Sequence, residues 1–114
     1  MVRSWRDSLP HRTDSKINIE WIETTDLEDG KININDAMKD IDAVIVPGGF
    51  GKRGTEGKIK VIKFARENKI PYLGLCLGLQ LAVVEFARNV CNLENANSTE
   101  FDKEVHHNVV DYLD

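Results

Sequence analysis

Long apolar runs are missing from this chain. None approaches the roughly 20 residues that a membrane-spanning helix needs, so no membrane partner is expected. The opening, MVRSWRDSLPHRTD, lacks the apolar core and small-residue cleavage site of a secretion signal, and a cytoplasmic location follows as the expectation. Cysteine is scarce: Cys76 and Cys91 are too few for a disulfide framework and lack close metal-ligand spacing, so no metal is expected and each is read alone. Basic excess is absent as well. The net charge of −4 excludes a general nucleic-acid surface, since Lys52, Arg53 and Lys58 make only a local patch. What is present, 30% charged and 41% hydrophobic residues in a chain of 114, suits one modest globular core without repeats or low-complexity tracts.

Residues 1–16 show no period of two or of 3.6 and are expected to be irregular or loosely helical. KINIEWIE alternates, with Ile17, Ile19 and Trp21 on one side and Asn18 and Glu20 on the other, as a half-buried strand requires. Asn35 is expected to cap a short helix carrying Ala37, Met38 and Ile41, with Asp36 near its positive end. DAVIVP, at 42–47, is a short β-branched run that predicts a strand buried on both faces. A loop with five glycines, GGFGKRGTEG, leads from it into a helix over 58–68 with Val61, Phe64 and Ala65 on one stripe. KIPYLGL is the next strand. LGLQLAVVEFARNV is the next helix, apolar nearly all round and therefore expected to be buried. NLENANSTEFD reads as a polar loop and NVVDYL as a last strand. Alternating strands and helices predict an α/β fold with a parallel sheet flanked by helices, whose site lies beyond the carboxyl ends of the strands, where both glycine-rich loops fall.

GLCLG sets Cys76 between a strand and a helix, flanked by glycines at 74 and 78. Such a sharp turn is a nucleophile elbow: it pushes the central residue outward, and glycines remove side chains that would collide where strand and helix meet. A helix N-terminus favours thiolate over thiol. The Leu77 amide, with one from the Gly48-Gly49 turn, can bind a developing oxyanion, which points to acyl transfer through a thioester. On this local pattern alone, catalysis and a small buried hydrophobe are equally good accounts of Cys76. Gln80 lies one helical turn beyond Cys76, where facing the site or packing serve equally. Glu100 reads by default as a surface charge, Cys91 as core or inert, and His106 and His107 as surface side chains. GGFGKRG lacks the Gly-Lys-Ser/Thr ending of a phosphate loop.

PGGFGKRGTEGK, ARENKIPYLGLCLGLQLAVVEFARNV and ENANSTEFD together resemble the glutamine amidotransferase domain of the CTP synthase family, from about residue 17 to the C-terminus. The resemblance implies a flavodoxin-like, class I glutamine amidotransferase fold, here incomplete, with an irregular segment over 1–16 and a partial amidotransferase domain over 17–114. It implies an enzyme that hydrolyses L-glutamine at Cys76 and passes ammonia to a separate synthetase domain. There UTP becomes CTP, with ATP and magnesium; GTP acts as effector and the enzyme is a homo-oligomer. The resemblance places Gly49 at the oxyanion and Leu77, Gly78, Leu79 and Gln80 in the glutamine-binding segment. Glu100 is matched to the acid that holds the substrate's amino group, and Phe50 with KRGTEG to a lid. Leu79 stands where the family has methionine, a tolerable exchange.

The family's His-x-Glu pair lies far downstream of the region matched here, and His106 and His107, followed by Asn108 and Val109, do not fit it. An arginine for the substrate carboxylate also lies beyond, MVRSWRDSLPHR does not resemble the family's first strand and helix, and the synthetase domain is absent. The expectation is thus a CTP synthase fragment carrying the thiol half of a glutaminase site, with no cofactor of its own. Two other classes stay open: a complete small cysteine hydrolase recruiting His106 or His107 as base, and a noncatalytic interaction or regulatory piece.

Overall fold

In a computed structural model of the protein, residues 2–5 and 17–113 are described. The elements run β1 (Val2–Trp5), β2 (Ile17–Glu20), α1 (Thr24–Glu28), α2 (Ile34–Ala37), β3 (Ala43–Val46), α3 (Thr55–Glu67), β4 (Tyr72–Gly74), α4 (Leu77–Asn89), β5 (Asn97–Ser98) and β6 (Asn108–Val110). One sheet has the order β2-β1-β3-β4, and β5 pairs with β6 in a second. The α/β class is as the alternation predicts: β3 and β4 are parallel, joined by α3, and β5 and β6 are parallel too. The exception is β1, antiparallel to both β2 and β3. Residues 2–5 are therefore a sheet strand rather than irregular chain. Four residues hold too little periodicity to reveal a strand whose partners lie far along the sequence. The remainder of the expected irregular segment, residues 1 and 6–16, lies outside the described residues.

Strand β3 is the buried one. Val44 and Val46 sit at 1% and 2% exposure: α4 packs on the strand, and both valines share one core with Ile59, Val61, Ile62, Ala65, Leu77, Leu81 and Val84. Helix α3 begins at Thr55, three residues before the expected start, since Gly54 supplies a left-handed N-cap (φ 75°) that no side chain assists. Helix α2 is capped by Asn33, whose side chain accepts from the Asn35 amide. The expected cap, Asn35, is already inside the helix, while Asp36 does sit in its first turn. Helix α1, unforeseen within TTDLEDG, is held at its start by the Glu23 carboxylate accepting from Thr25. It packs on α3.

Two burial expectations fail for one reason, the lack of a covering layer among the described residues. β2 is an edge strand, and Ile19 and Trp21 are exposed rather than half-buried. Helix α4 buries only one side; Leu79, Val83 and Phe86 are exposed on the other, as is Val90 just past its end. Its buried side also carries Glu85, whose carboxylate takes three hydrogen bonds from the Arg66 guanidinium of α3 at 2.9–3.2 Å and one from Asn89. Arg88 makes a second bridge to α3, at 3.0 Å to Glu56. These pairs tie α4 to α3 along its C-terminal half, so its N-terminal end projects from the strand end at a fixed height.

Candidate active site

The chain leaves β4 at Gly74, passes Leu75 and enters α4 at Leu77, with Cys76 as the N-cap. The backbone of Cys76 has φ 52° and ψ −108°, a conformation that side-chain-bearing residues rarely adopt. Such strain persists only where the surroundings over-determine it, and it collects at functional sites. Here the surroundings are main chain. A Cβ on Gly74 would stand 2.6 Å from the Gly78 carbonyl carbon and the Leu79 amide nitrogen, so strand and helix touch with nothing between them. A Cβ on Gly78 would run into the Val46 carbonyl of β3. The turn is therefore pinched between β3 and α4, and Cys76 is exposed at its tip, as the sequence spacing predicts.

A hydroxyl that no motif singles out closes the same turn. Tyr72 Oη donates to the Gly78 carbonyl at 2.7 Å, latching the start of β4 to the first turn of α4. Burial pushes the Tyr72 phenol up from its ordinary value of 10.0. A phenol that holds its proton more tightly when folded gives stability that is whole below pH 10 and declines as pH rises beyond it, since the unfolded chain ionises first. Tyr72→Phe is accordingly expected to flatten this alkaline slope. Urea titrations at pH 9 and pH 11 should show the wild type losing about 0.5 kcal/mol more than the variant, less than the full pH-unit value because the ring is partly exposed.

The preceding glycine loop lies beside the thiol. A Cβ on Gly48 would be 3.5 Å from the Cys76 Cβ, and one on Gly49 would be 3.3 Å from Leu77 Cδ2. Gly48, Gly49, Cys76 and Leu77 are thus brought together beyond the ends of β3 and β4. Leu77 and Gly78 are buried in the turn, while Leu79 and Phe50 face outward at 60% and 96% exposure.

Gln80 and Glu100 meet elsewhere along the same end. The Gln80 amide donates to the Cys76 carbonyl at 3.1 Å, and the Gln80 side chain borders a cavity of about 70 Å³ shared with Ser98, Thr99, Glu100 and Asp111. Its Oε1 is buried and has no hydrogen-bond partner among the described residues. Glu100 is exposed on a turn following β5 rather than in a featureless loop. The histidines go to the opposite end. His106 and His107 line a groove of about 520 Å³ with Arg88, twelve residues beyond Cys76 and so about 18 Å along the helix. Cys91 is exposed, not core, and borders an apolar groove with Val83 and Phe86. Among the described residues no group of His, Cys, Asp and Glu has the arrangement of a metal site, and no helix is long and apolar enough to cross a membrane.

Comparison with known proteins bears on the family and the fold. The family described as Glutamine amidotransferase class-I matches residues 5–112. A CTP synthase from Methanococcus aeolicus is 52% identical over 94% of the chain, which spans 21% of that relative. The solved glutaminase domain of Trypanosoma brucei CTPS with bound acivicin matches with a TM-score of 0.77 and 42% identity, over 85% of this chain and 37% of that one. The chain thus spans about a fifth of the curated relative and little more than a third of the solved domain.

Proposed function

Because the chain belongs to the class-I glutamine amidotransferases, we propose that it carries the thiol half of a glutaminase site of CTP synthase type, residues 17–114 forming part of that domain. The observation that carries this is the Cys76 backbone, held at φ 52° and ψ −108° by contact between Gly74, Gly78 and Val46. The Cys76 thiolate attacks the side-chain amide carbon of L-glutamine, forming a C–S bond and an oxyanion that the Gly49 and Leu77 amides stabilise. Collapse of that intermediate with protonation of nitrogen breaks the C–N bond and releases ammonia. Water then cleaves the thioester to glutamate and regenerates the thiol.

A base is needed in both halves of the cycle. His106 and His107 are poor candidates, since their groove lies at the far end of α4, and this weighs against a self-contained hydrolase built on them. In the family the base comes from outside the stretch matched here, and loss of a triad member costs several powers of ten in rate. Gln80 and Glu100 hold the substrate's amino-acid end: an unpartnered buried amide oxygen and a carboxylate beside one small cavity suit the N–H donors of an ammonium group. A cavity of about 70 Å³ has room for a group the size of an ammonium head. Leu79 and the exposed Phe50, with its glycine loop, complete the pocket rim and lid.

The ammonia serves a synthetase domain that aminates UTP to CTP using ATP and magnesium, in a homo-oligomer with GTP as effector; these partners belong to the larger enzyme. Acivicin, a glutamine analogue, tests the proposal. It should add once, saturably, and at Cys76 in preference to Cys91, read by peptide mass. Equal, non-saturable labelling of both cysteines would show that the elbow confers no recognition.

A further inference from the structure

Glu100 stands on a turn, and a turn aims a side chain only if it is itself held. Ser98, buried at 2% exposure, ties one side through its hydroxyl, which accepts from the Glu100 amide at 3.3 Å. The other side is tied to β6 and the residue after it. The Thr99 amide donates to the Val110 carbonyl at 3.0 Å, and the Thr99 hydroxyl donates to Asp111 Oδ1 at 2.7 Å. That same oxygen accepts from the Tyr112 amide at 2.8 Å. These two donors hold the Asp111 carboxyl below the usual carboxylate range. Asp111 borders the Gln80–Glu100 cavity, but Oδ1 is already committed to the protein.

We infer that Asp111 is a positioning residue for substrate recognition, fixing the Thr99–Glu100 turn through the Thr99 hydroxyl so that the Glu100 carboxylate stands across the cavity from Gln80. This rests on the glutamine site proposed above. A substrate's ammonium group placed between Gln80 Oε1 and Glu100 needs both acceptors at fixed separation, and the Asp111–Thr99 bond is the side-chain contact that joins that turn to the parallel strand. A charge-assisted bond between two short side chains gives this at little entropic cost.

The test uses acivicin on the 114-residue chain, counting Cys76 adducts by mass over a concentration series to separate the saturation constant from the limiting rate. Asp111→Ala, which removes the acceptor, and Thr99→Val, which removes the donor, should each raise the saturation constant roughly tenfold, the scale of one charge-assisted hydrogen bond. The double variant should go no further, since the two act as one unit. Thr99→Ser, which keeps the hydroxyl, should match wild type, and alkylation by iodoacetamide, which has no charged α-ammonium group, should be unaltered throughout. An effect in Asp111→Ala without one in Thr99→Val would mean that the carboxylate meets the amino group itself, and would overturn the positioning role. So would unchanged saturation in both, or a loss shared equally by iodoacetamide. A wild type that does not saturate would remove the glutamine site and this inference with it.

Discussion

Cys76→Ala should abolish acivicin labelling outright, while Cys91→Ala should label as wild type does. Both thiols are exposed, so access alone does not separate them. Backbone geometry does. Cys76 is held at a strained turn, at the head of α4, within van der Waals reach of the Gly48-Gly49 loop, and beside the helix segment that leads to Gln80. Cys91 lies past the other end of α4, against apolar side chains and with no comparable loop. Main-chain donors aimed at a developing oxyanion are worth about 3 kcal/mol apiece, or two powers of ten in rate. With even one such donor engaged, the preference for Cys76 in the wild type should be at least about a hundredfold, measured as the ratio of adducts at early times. A Cys76→Ala protein that still takes up acivicin saturably would place the reactive group elsewhere.

Gly78→Ala should unfold the protein or cost it most of its stability. A methyl at this position would overlap the Val46 carbonyl oxygen and stand 2.9 Å from its carbon and 3.0 Å from its Cβ. None of those atoms can swing aside as a flexible side chain would; β3 must shift as a whole. Val46 is at the buried heart of the sheet and pairs with Gly74. Overpacking of a well-filled core usually costs about 1–3 kcal/mol, and a clash with main chain lies at or above the top of that range. Set against a total of about 5–15 kcal/mol for a small domain, this is a large fraction. Urea midpoints should fall accordingly. Gly51→Ala is the control, because nothing lies within 4 Å of a Cβ there and only its φ of 79° resists the change.

The elbow was legible because its requirements are local. A strand, two glycines four residues apart and an apolar helix leave few ways to lay out the backbone, and the thiol's exposure follows. The Gly48-Gly49 loop was legible for the same reason. Asn33 and Asn35 are chemically identical caps two residues apart, and only the tertiary path of the chain selects the first. Helix α1 starts on a glutamate, not one of the usual short caps, and lasts five residues. The Thr99–Asp111 and Tyr72–Gly78 bonds join residues with no periodic relation, so no pattern announces them. The apolar sides of α4 were visible, but periodicity reports what a helix offers and not what covers it.

Helix α4 carries hydrocarbon around most of its circumference, so burial energy changes little if the cylinder rolls about its long axis. Azimuth is set by contacts that tolerate no roll, beginning at the head, where the Gly78 backbone lies against the Val46 carbonyl and Tyr72 bonds the Gly78 carbonyl. The guanidinium bridges from Arg66 to Glu85 and from Arg88 to Glu56 fix it along the C-terminal half, since each works at a single angle of roll. The thiol at the head of such a cylinder is thus pointed in part by charge pairs up to a dozen residues away, and neutralising both would leave the rod held against rolling at its head alone.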